Sequence, residues 1–246
     1  MLVPSSYARV LALKEASHSL AKPGVLVDAG CGDGFHLLQI EAARKIGLDL
    51  IPPKLQDDIE VVKCNLTFIP LKSGCCDCLM SLDVIEHIKE EDKVISEFHR
   101  VLGHNGILIL TTPNNSEFMP YGTLRVMFGL DTAKIHRMCE HVRPGYSKDE
   151  LSSLVERHGF KVIYHHSFCQ PMVRVLELVY LLPMRLSEYI YSPQERELRL
   201  RTGKLINGLQ RVHDLLFLLL VAPIIKQVEK RANNGFLHLL ICKKLN

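Results

Sequence analysis

Three glycines at every second position, Gly30, Gly32 and Gly34, follow Asp28 in the stretch VLVDAGCGDGFHLL (25–38). Glycine removes side chains where a ligand must approach the backbone, and it permits positive φ. A helix restarting near Phe35 offers free N–H groups that suit a carboxylate. The dinucleotide fingerprint G-x-G-x-x-G is met by Gly30 and Gly32, but its third place holds Phe35, which argues against a pyrophosphate. Asp49 lies 19 residues after Gly30, at the end of a second apolar stretch, where an acid accepts hydrogen bonds from ribose hydroxyls. Asn65 ends a third such stretch, where its side-chain carbonyl can accept from an adenine amino group. One nucleoside with a small carboxylate-bearing tail satisfies all three positions. A second group follows in SLDVIEHI (81–88), where Asp83, Glu86 and His87 come close together. Of these, His87 has the pKa range to take a proton from a hydroxyl near neutrality.

These residues need strands to carry them. The short Val-rich apolar run 25–30 reads as a buried strand, with 46–50, 59–65, 78–84, 106–113, 160–168 and 235–245 as six more. Helical patterns occupy 5–20, 35–46 and 89–102, the last with Val94, Ile95, Phe98, Val101 and Leu102 at helical spacing. Ser147 followed by Glu150 predicts a capping box opening another helix. Strands alternating with helices predict an α/β fold with a doubly wound, mostly parallel sheet. Its ligand crevice lies beyond the carboxyl ends of the strands, where Asp28, Asp49, Asn65 and Asp83 stand.

Composition bounds the partners. The chain has 246 residues, within reach of one domain, and 47% hydrophobic residues, enough for a sizeable core. A net charge of +3 is too balanced to point to nucleic acid by itself. The N-terminal residues lack the continuous apolar core of a signal peptide, so the 8 cysteines are expected as reduced thiols in a cytoplasmic protein. Cys75, Cys76 and Cys78 have no second cluster to complete a zinc site, and they read as a turn entering a buried strand.

With these motifs in order, the sequence resembles the class I S-adenosylmethionine-dependent methyltransferases, over 24–168 and the last strand. VDAGCGDG resembles the family's first motif, SLDVIEHI its fourth, and EFHRVLGHNGILILTTPN the helix and strand after that. HVRPGYSKDELSSLVERHGF resembles a stretch of the subgroup related to quinone-biosynthesis O-methyltransferases. The resemblance implies a Rossmann-like seven-stranded sheet and S-adenosyl-L-methionine as cofactor. It places Asp28, Gly30, Gly32 and Gly34 at the methionine part, Asp49 at the ribose and Asn65 next to the adenine, with Cys31, Leu50, Leu66 and Leu82 as further cofactor-binding residues. Asn65 stands where the family often has Asp, which keeps an acceptor but drops a charge. His87 and Asp83 are the catalytic candidates; because methyl transfer from a sulfonium needs chiefly proximity, a base is an addition rather than a requirement. In some metal-dependent members, sets like Asp83, Glu86, His87 and the distant His141 hold Mg²⁺ or Mn²⁺; the alternative is that this string is family architecture without metal.

The residues between the sixth strand and the last, 169–234, form too long a connection for one crossover and are expected to be a helical insert within a single 1–246 methyltransferase domain. MVRVLELVYLLPMRLSEYI (172–190) and VHDLLFLLLVAPIIKQV (212–228) are apolar but too short or too interrupted to span a bilayer. The basic link ERELRLRTGK joins them. Plain core, a lid over a lipophilic acceptor, a peripheral membrane surface and a homodimer interface all fit this pattern. The expected acceptor is a hydroxyl on a small or lipid-linked molecule. An RNA 2′-O-methyltransferase and a non-catalytic cofactor-binding regulator are the rivals, and the absence of Trp with 7% aromatics counts against nucleic acid. The loop 114–146 is expected over the active site, with Tyr121, Arg125, His136, Arg137 and Tyr146 as acceptor contacts.

Overall fold

The computed structural model describes residues 4–17, 22–52, 59–115, 142–169, 173, 217–229 and 235–245. Its elements are α1 (Pro4–Ser17), β1 (Val25–Ala29), α2 (Phe35–Gln39), β2 (Arg44–Asp49), β3 (Glu60–Lys63) and β4 (Cys76–Leu82). A 3₁₀ turn (Ile85–His87), α3 (Glu91–Val101), β5 (Leu102–Pro113), α4 (Lys148–Glu156) and β6 (Phe160–Phe168) follow. A π-helical turn (Phe217–Val221), α5 (Ala222–Glu229) and β7 (Leu237–Lys244) complete them. The seven strands form one sheet in the order β3-β2-β1-β4-β5-β7-β6. The pairs from β3 through β5 are parallel, and β7 runs antiparallel to β5. The strand order reverses between β1 and β4, and this switch point is where such a sheet opens a crevice at its carboxyl edge.

By compactness the chain divides into two units, Met1–Leu11 with Phe168–Asn234, and Ala12–Ser167 with Gly235–Asn246. The core cluster and the candidate functional site belong to the second. Central strands β1 and β4 are nearly continuous apolar runs because both their faces are covered. Helix α3 buries Val94, Ile95, Phe98 and Val101, the stripe its spacing predicts. Each such side chain contributes about 1.5–3 kcal/mol by leaving water. Glu91 and Asp92 in its first turn and His99 and Arg100 in its last complement the helix dipole. Lys244 finishes its C-terminus by donating to the carbonyls of His99 (2.7 Å) and Leu102 (2.8 Å). Helix α4 begins with the expected capping box: the Ser147 hydroxyl accepts from Glu150 N–H, and the Glu150 carboxylate accepts from Ser147 N–H.

Two elements differ from the sequence reading. The helix expected over 35–46 stops at Gln39, where Ile40 turns extended, and β2 starts at Arg44. Arg44 N–H donates to Gly24 O at 2.8 Å and enters register beside Val25, so sheet pairing outweighs local helix preference. The strand expected to start at 106 begins at Leu102. Between the pairs Cys76↔Leu102 and Cys78↔Ile107 the register shifts, so the GHNG residues form a bulge rather than a break.

Candidate functional site

Asp28 closes β1 with its side chain 2% exposed, and among the described residues no donor reaches its carboxyl. Burial, followed by the neighbouring charge of Asp49, pushes its pKa up to about 8. The loop after it is fixed by Gly30 N–H and Cys31 N–H, which both donate to Leu48 O (2.8 and 3.0 Å). Gly30 sits at φ 85°, and a Cβ there would lie 2.4 Å from Val84 Cγ2, so only glycine lets the loops after β1 and β4 touch. Gly32, at φ 52°, has the opposite surroundings: nothing lies within 4 Å of where its Cβ would be. Gly34 is the left-handed N-cap of α2. Cys31 packs its thiol under the loop, against Gly47, where a Cβ would meet the sulfur at 2.8 Å. Burial and the charges of Asp28 and Asp49 push that thiol up to about 12, so it stays protonated.

Asp49 ends β2 and ties the first loop to the second. Its Oδ2 accepts Gly32 N–H and its Oδ1 accepts Ile51 N–H, each at 2.9 Å. Each carboxylate oxygen keeps a further lone pair for a hydroxyl donor. Asn65 differs from expectation. Its Oδ1 already accepts from Thr67 N–H and Thr67 Oγ1–H, both at 3.0 Å, forming an Asx turn after β3. The acceptor assigned to it is occupied locally, so its amide nitrogen is the group that can face a base. Of the other residues expected at the cofactor, Leu66 (6% exposed) and Leu82 (9%) are buried, whereas Leu50 (61%) is exposed. Ile51 (83%) and Phe68 (77%), which sequence reasoning missed, stand exposed on the same two loops as Leu50 and Asn65. The signal was a large apolar side chain two residues after Asp49 and three after Asn65.

The fourth strand delivers Asp83 with φ 55°, an uncommon conformation for a residue with a Cβ. Thr111 on β5 holds it there. Thr111 Oγ1–H donates to Asp83 Oδ1 at 2.7 Å, and Asp83 N–H donates to Thr111 Oγ1 at 3.1 Å and Thr111 O at 3.0 Å. Next to it, Thr112 Oγ1–H donates to Glu86 Oε2 at 3.1 Å, and Glu86 is 1% exposed. Both threonines were absent from the sequence reading, although TTP directly after an apolar strand marks that strand's carboxyl end. His87 is exposed on the 3₁₀ turn, with Nε2 4.0 Å from Glu86 Oε1. The structure therefore sends Asp83 and Glu86 to separate threonines. Among the described residues no three His, Cys, Asp or Glu side chains group as a metal set. His141 lies outside the described residues, as do Tyr121, Arg125, His136 and Arg137.

Residues 142–146 return to this edge. Val142 N–H donates to Glu86 O (3.0 Å), and Tyr146 N–H donates to Pro113 O (2.9 Å). Tyr146 Oη–H donates to Glu91 Oε2 at 2.6 Å, and Arg143 pairs with the same carboxylate. Tyr146 O accepts from His238 Nε2 at 3.1 Å, which fixes the His238 tautomer, since a carbonyl only accepts. His238, named by none of the sequence motifs, is 2% exposed, and its pKa is lowered chiefly by burial.

A mostly parallel sheet with this order, a left-handed glycine loop after β1 and acids at the ends of β1 and β2 are the arrangement that the resemblance to class I S-adenosylmethionine-dependent methyltransferases implies. Residues 27–110 match the family model described as a methyltransferase domain, which supports that resemblance over this stretch. A probable S-adenosylmethionine-dependent methyltransferase of Mycolicibacterium smegmatis is 30% identical over 158 residues, which is 59% of this chain and 55% of that protein. A tRNA (carboxymethyluridine(34)-5-O)-methyltransferase of Arabidopsis thaliana is 31% identical over 100 residues, 38% of this chain and 25% of its own. The chain spans about half the length of the mycobacterial relatives it matches. In fold it is similar to Haemonchus contortus phosphoethanolamine N-methyltransferase 2 in complex with S-adenosyl-L-methionine. That similarity has a TM-score of 0.62 at 15% identity, covering 97% of this chain and 52% of the other.

Proposed function

We propose that this chain binds S-adenosyl-L-methionine at the carboxyl ends of β1 to β4 and methylates a hydroxyl on a small or lipid-linked acceptor. The observation that carries the reading is the unfilled space at Gly32 together with the buried carboxyl of Asp28, to which none of the described residues donates. A buried acid without a donor among the described residues and a backbone with nothing over it are a cradle for a cationic, carboxylate-bearing tail. When bound, the cofactor supplies an electrophilic methyl group on a sulfonium with a good leaving group.

The protein's part is orientation and proton handling. Asp28 faces the ammonium, the N–H groups ahead of α2 face the carboxylate, and Asp49 receives the ribose hydroxyls on its remaining lone pairs. The exposed apolar side chains of Leu50, Ile51 and Phe68 give the base a wall to lie against. Asp83, locked by Thr111 at the crevice edge, is the better placed base for an acceptor hydroxyl. His87 stands further out and serves as the proton's exit to water. A metal role for Asp83, Glu86 and His87 finds no support in their geometry.

RNA as acceptor is the second reading, favoured by the Arabidopsis relative; its match covers only 38% of this chain. One experiment separates these readings. The chain is incubated with methyl-labelled cofactor and with lipid, small-molecule and RNA fractions. Label in the lipid or small-molecule fraction, on an alkali-stable ether, supports the proposal. Label in RNA alone, or none with any fraction despite tight cofactor binding, overturns the acceptor class.

A further inference from the structure

We propose that the exposed face of α5 and of the π-helical turn before it docks on an anionic lipid bilayer. Leu219 (62% exposed), Leu220 (64%) and Ile224 (46%) are large apolar side chains in water on one short stretch, and Pro223 between them is also exposed. Single exposed apolar residues are ordinary, but a contiguous group on one helical face marks an interaction site. The opposite face is spoken for: Ala222 is 4% exposed and Ile225 fully buried. At about 100° per residue along α5, positions 223, 224 and 227 share one side while 222 and 225 share the other, and the exposed Leu219 and Leu220 lie in the turn just before it.

Charge selects the occupant. Of the two charged side chains on α5, Glu229 is drawn inward, accepting from Cys169 N–H at 3.1 Å, and Lys226 is exposed at the edge of the apolar face. Lys230 and Arg231 follow directly in the sequence. Residues 169–234 hold 10 Lys and Arg against 6 Asp and Glu, a net of +4, although the whole chain carries only +3. The positive charge is thus concentrated in the segment that bears the apolar face, and the rest of the chain is close to neutral. An apolar face edged by cations fits acyl chains beneath anionic head groups, whereas a second copy of the same segment would meet its own charge. Among the described residues no helix is long and apolar enough to cross a membrane. The proposal does not depend on which molecule accepts the methyl group.

The test is co-sedimentation of the full chain at low salt with two kinds of vesicle, phosphatidylcholine alone and phosphatidylcholine mixed with phosphatidylglycerol. The expected result is partition to the mixed vesicles, released by salt. The double variant Leu220→Glu with Ile224→Glu is expected to lose that partition at least about tenfold. Both residues are exposed, so its melting temperature and its binding of S-adenosylhomocysteine should match the parent. Three results overturn the proposal: no partition to mixed vesicles, equal partition of the variant, or equal partition to phosphatidylcholine alone. A parent that stays off vesicles but sediments as a dimer, with the variant monomeric, reassigns the face to self-association. Loss of S-adenosylhomocysteine binding by the parent would count against the cofactor reading and leave the vesicle result standing.

Discussion

Asp49 Oδ2 accepts the N–H of Gly32 at 2.9 Å, so the acid at the end of β2 holds in place the loop at the end of β1. The two groups assigned to different parts of one ligand are thereby a single unit. A change in Asp49 reaches the glycine loop through this bond, and through Ile51 N–H it reaches the exposed rim of the second loop.

Replacing Asp49 by Ala should weaken binding of S-adenosylhomocysteine about tenfold or more. Two charge-assisted bonds from backbone N–H groups are lost along with the ribose acceptor, each worth about 1.5–3 kcal/mol. Asp49→Asn keeps an oxygen for one N–H and should fall between. Calorimetric titration decides, and unchanged affinity in the Ala variant would remove both the ribose assignment and the coupling between the loops.

Gly30 and Gly32 separate packing from binding. Gly30→Ala drives a methyl group to within 2.4 Å of Val84 Cγ2 at φ 85°, so the fold should lose upwards of about 3 kcal/mol in urea denaturation. Gly32→Ala meets nothing within 4 Å, so its cost is the left-handed backbone alone, about 1–2 kcal/mol. Yet that methyl group enters the space assigned to the ligand, and affinity for S-adenosylhomocysteine should fall well beyond the loss of stability. Equal binding by a folded Gly32→Ala protein would mean that the space is not the ligand's.

The parts legible from sequence were those set by local periodicity and by motif spacing. The buried strands around Asp28, the α3 stripe and the Ser147–Glu150 capping box depend on residues within a few positions of one another. What escaped depends on partners far along the chain. Thr111 was unremarkable until the sheet set it beside Asp83, 28 residues earlier. Asn65 stands at the strand end where a ligand acceptor is expected, but Thr67, two residues on, takes its carbonyl. The short α2 likewise reflects β2 pairing with β1, which outweighs the helical pattern expected over 35–46.

Asp28 should make the fold sensitive to alkali. A carboxyl raised from 3.8 to about 8 by folding binds its proton more tightly in the folded chain than in the unfolded one. Its contribution is therefore least harmful below about pH 4, and the fold weakens through the window up to about pH 8, by at most about 1.4 kcal/mol per pH unit. Asp28→Asn removes the titration. In ligand-free urea melts, the stability of the Asn variant relative to the parent should grow between about pH 5 and about pH 8 and level off above. A difference that stays flat across that window contradicts the burial argument. Binding of S-adenosylhomocysteine, which brings an ammonium to this carboxyl, should strengthen with pH in the parent over the same window and lose that dependence in the variant.

Thr111 is the last test, because it asks whether the conformation of Asp83 matters beyond stability. The hydroxyl of Thr111 both donates to Asp83 Oδ1 and accepts Asp83 N–H, two bonds that hold a residue at φ 55°. Thr111→Val keeps the shape of the side chain and removes both bonds, at about 1–3 kcal/mol for the buried partner groups left without them. Thr111→Ser restores the hydroxyl and should restore stability to within about 1 kcal/mol, the difference being a methyl group. If Asp83 takes the acceptor's proton, the Val variant should also lose methyl transfer more steeply than it loses cofactor affinity, with the Ser variant regaining both. A Val variant that is less stable but transfers methyl groups at the parental rate would show that Thr111 only holds the turn and that the base lies elsewhere.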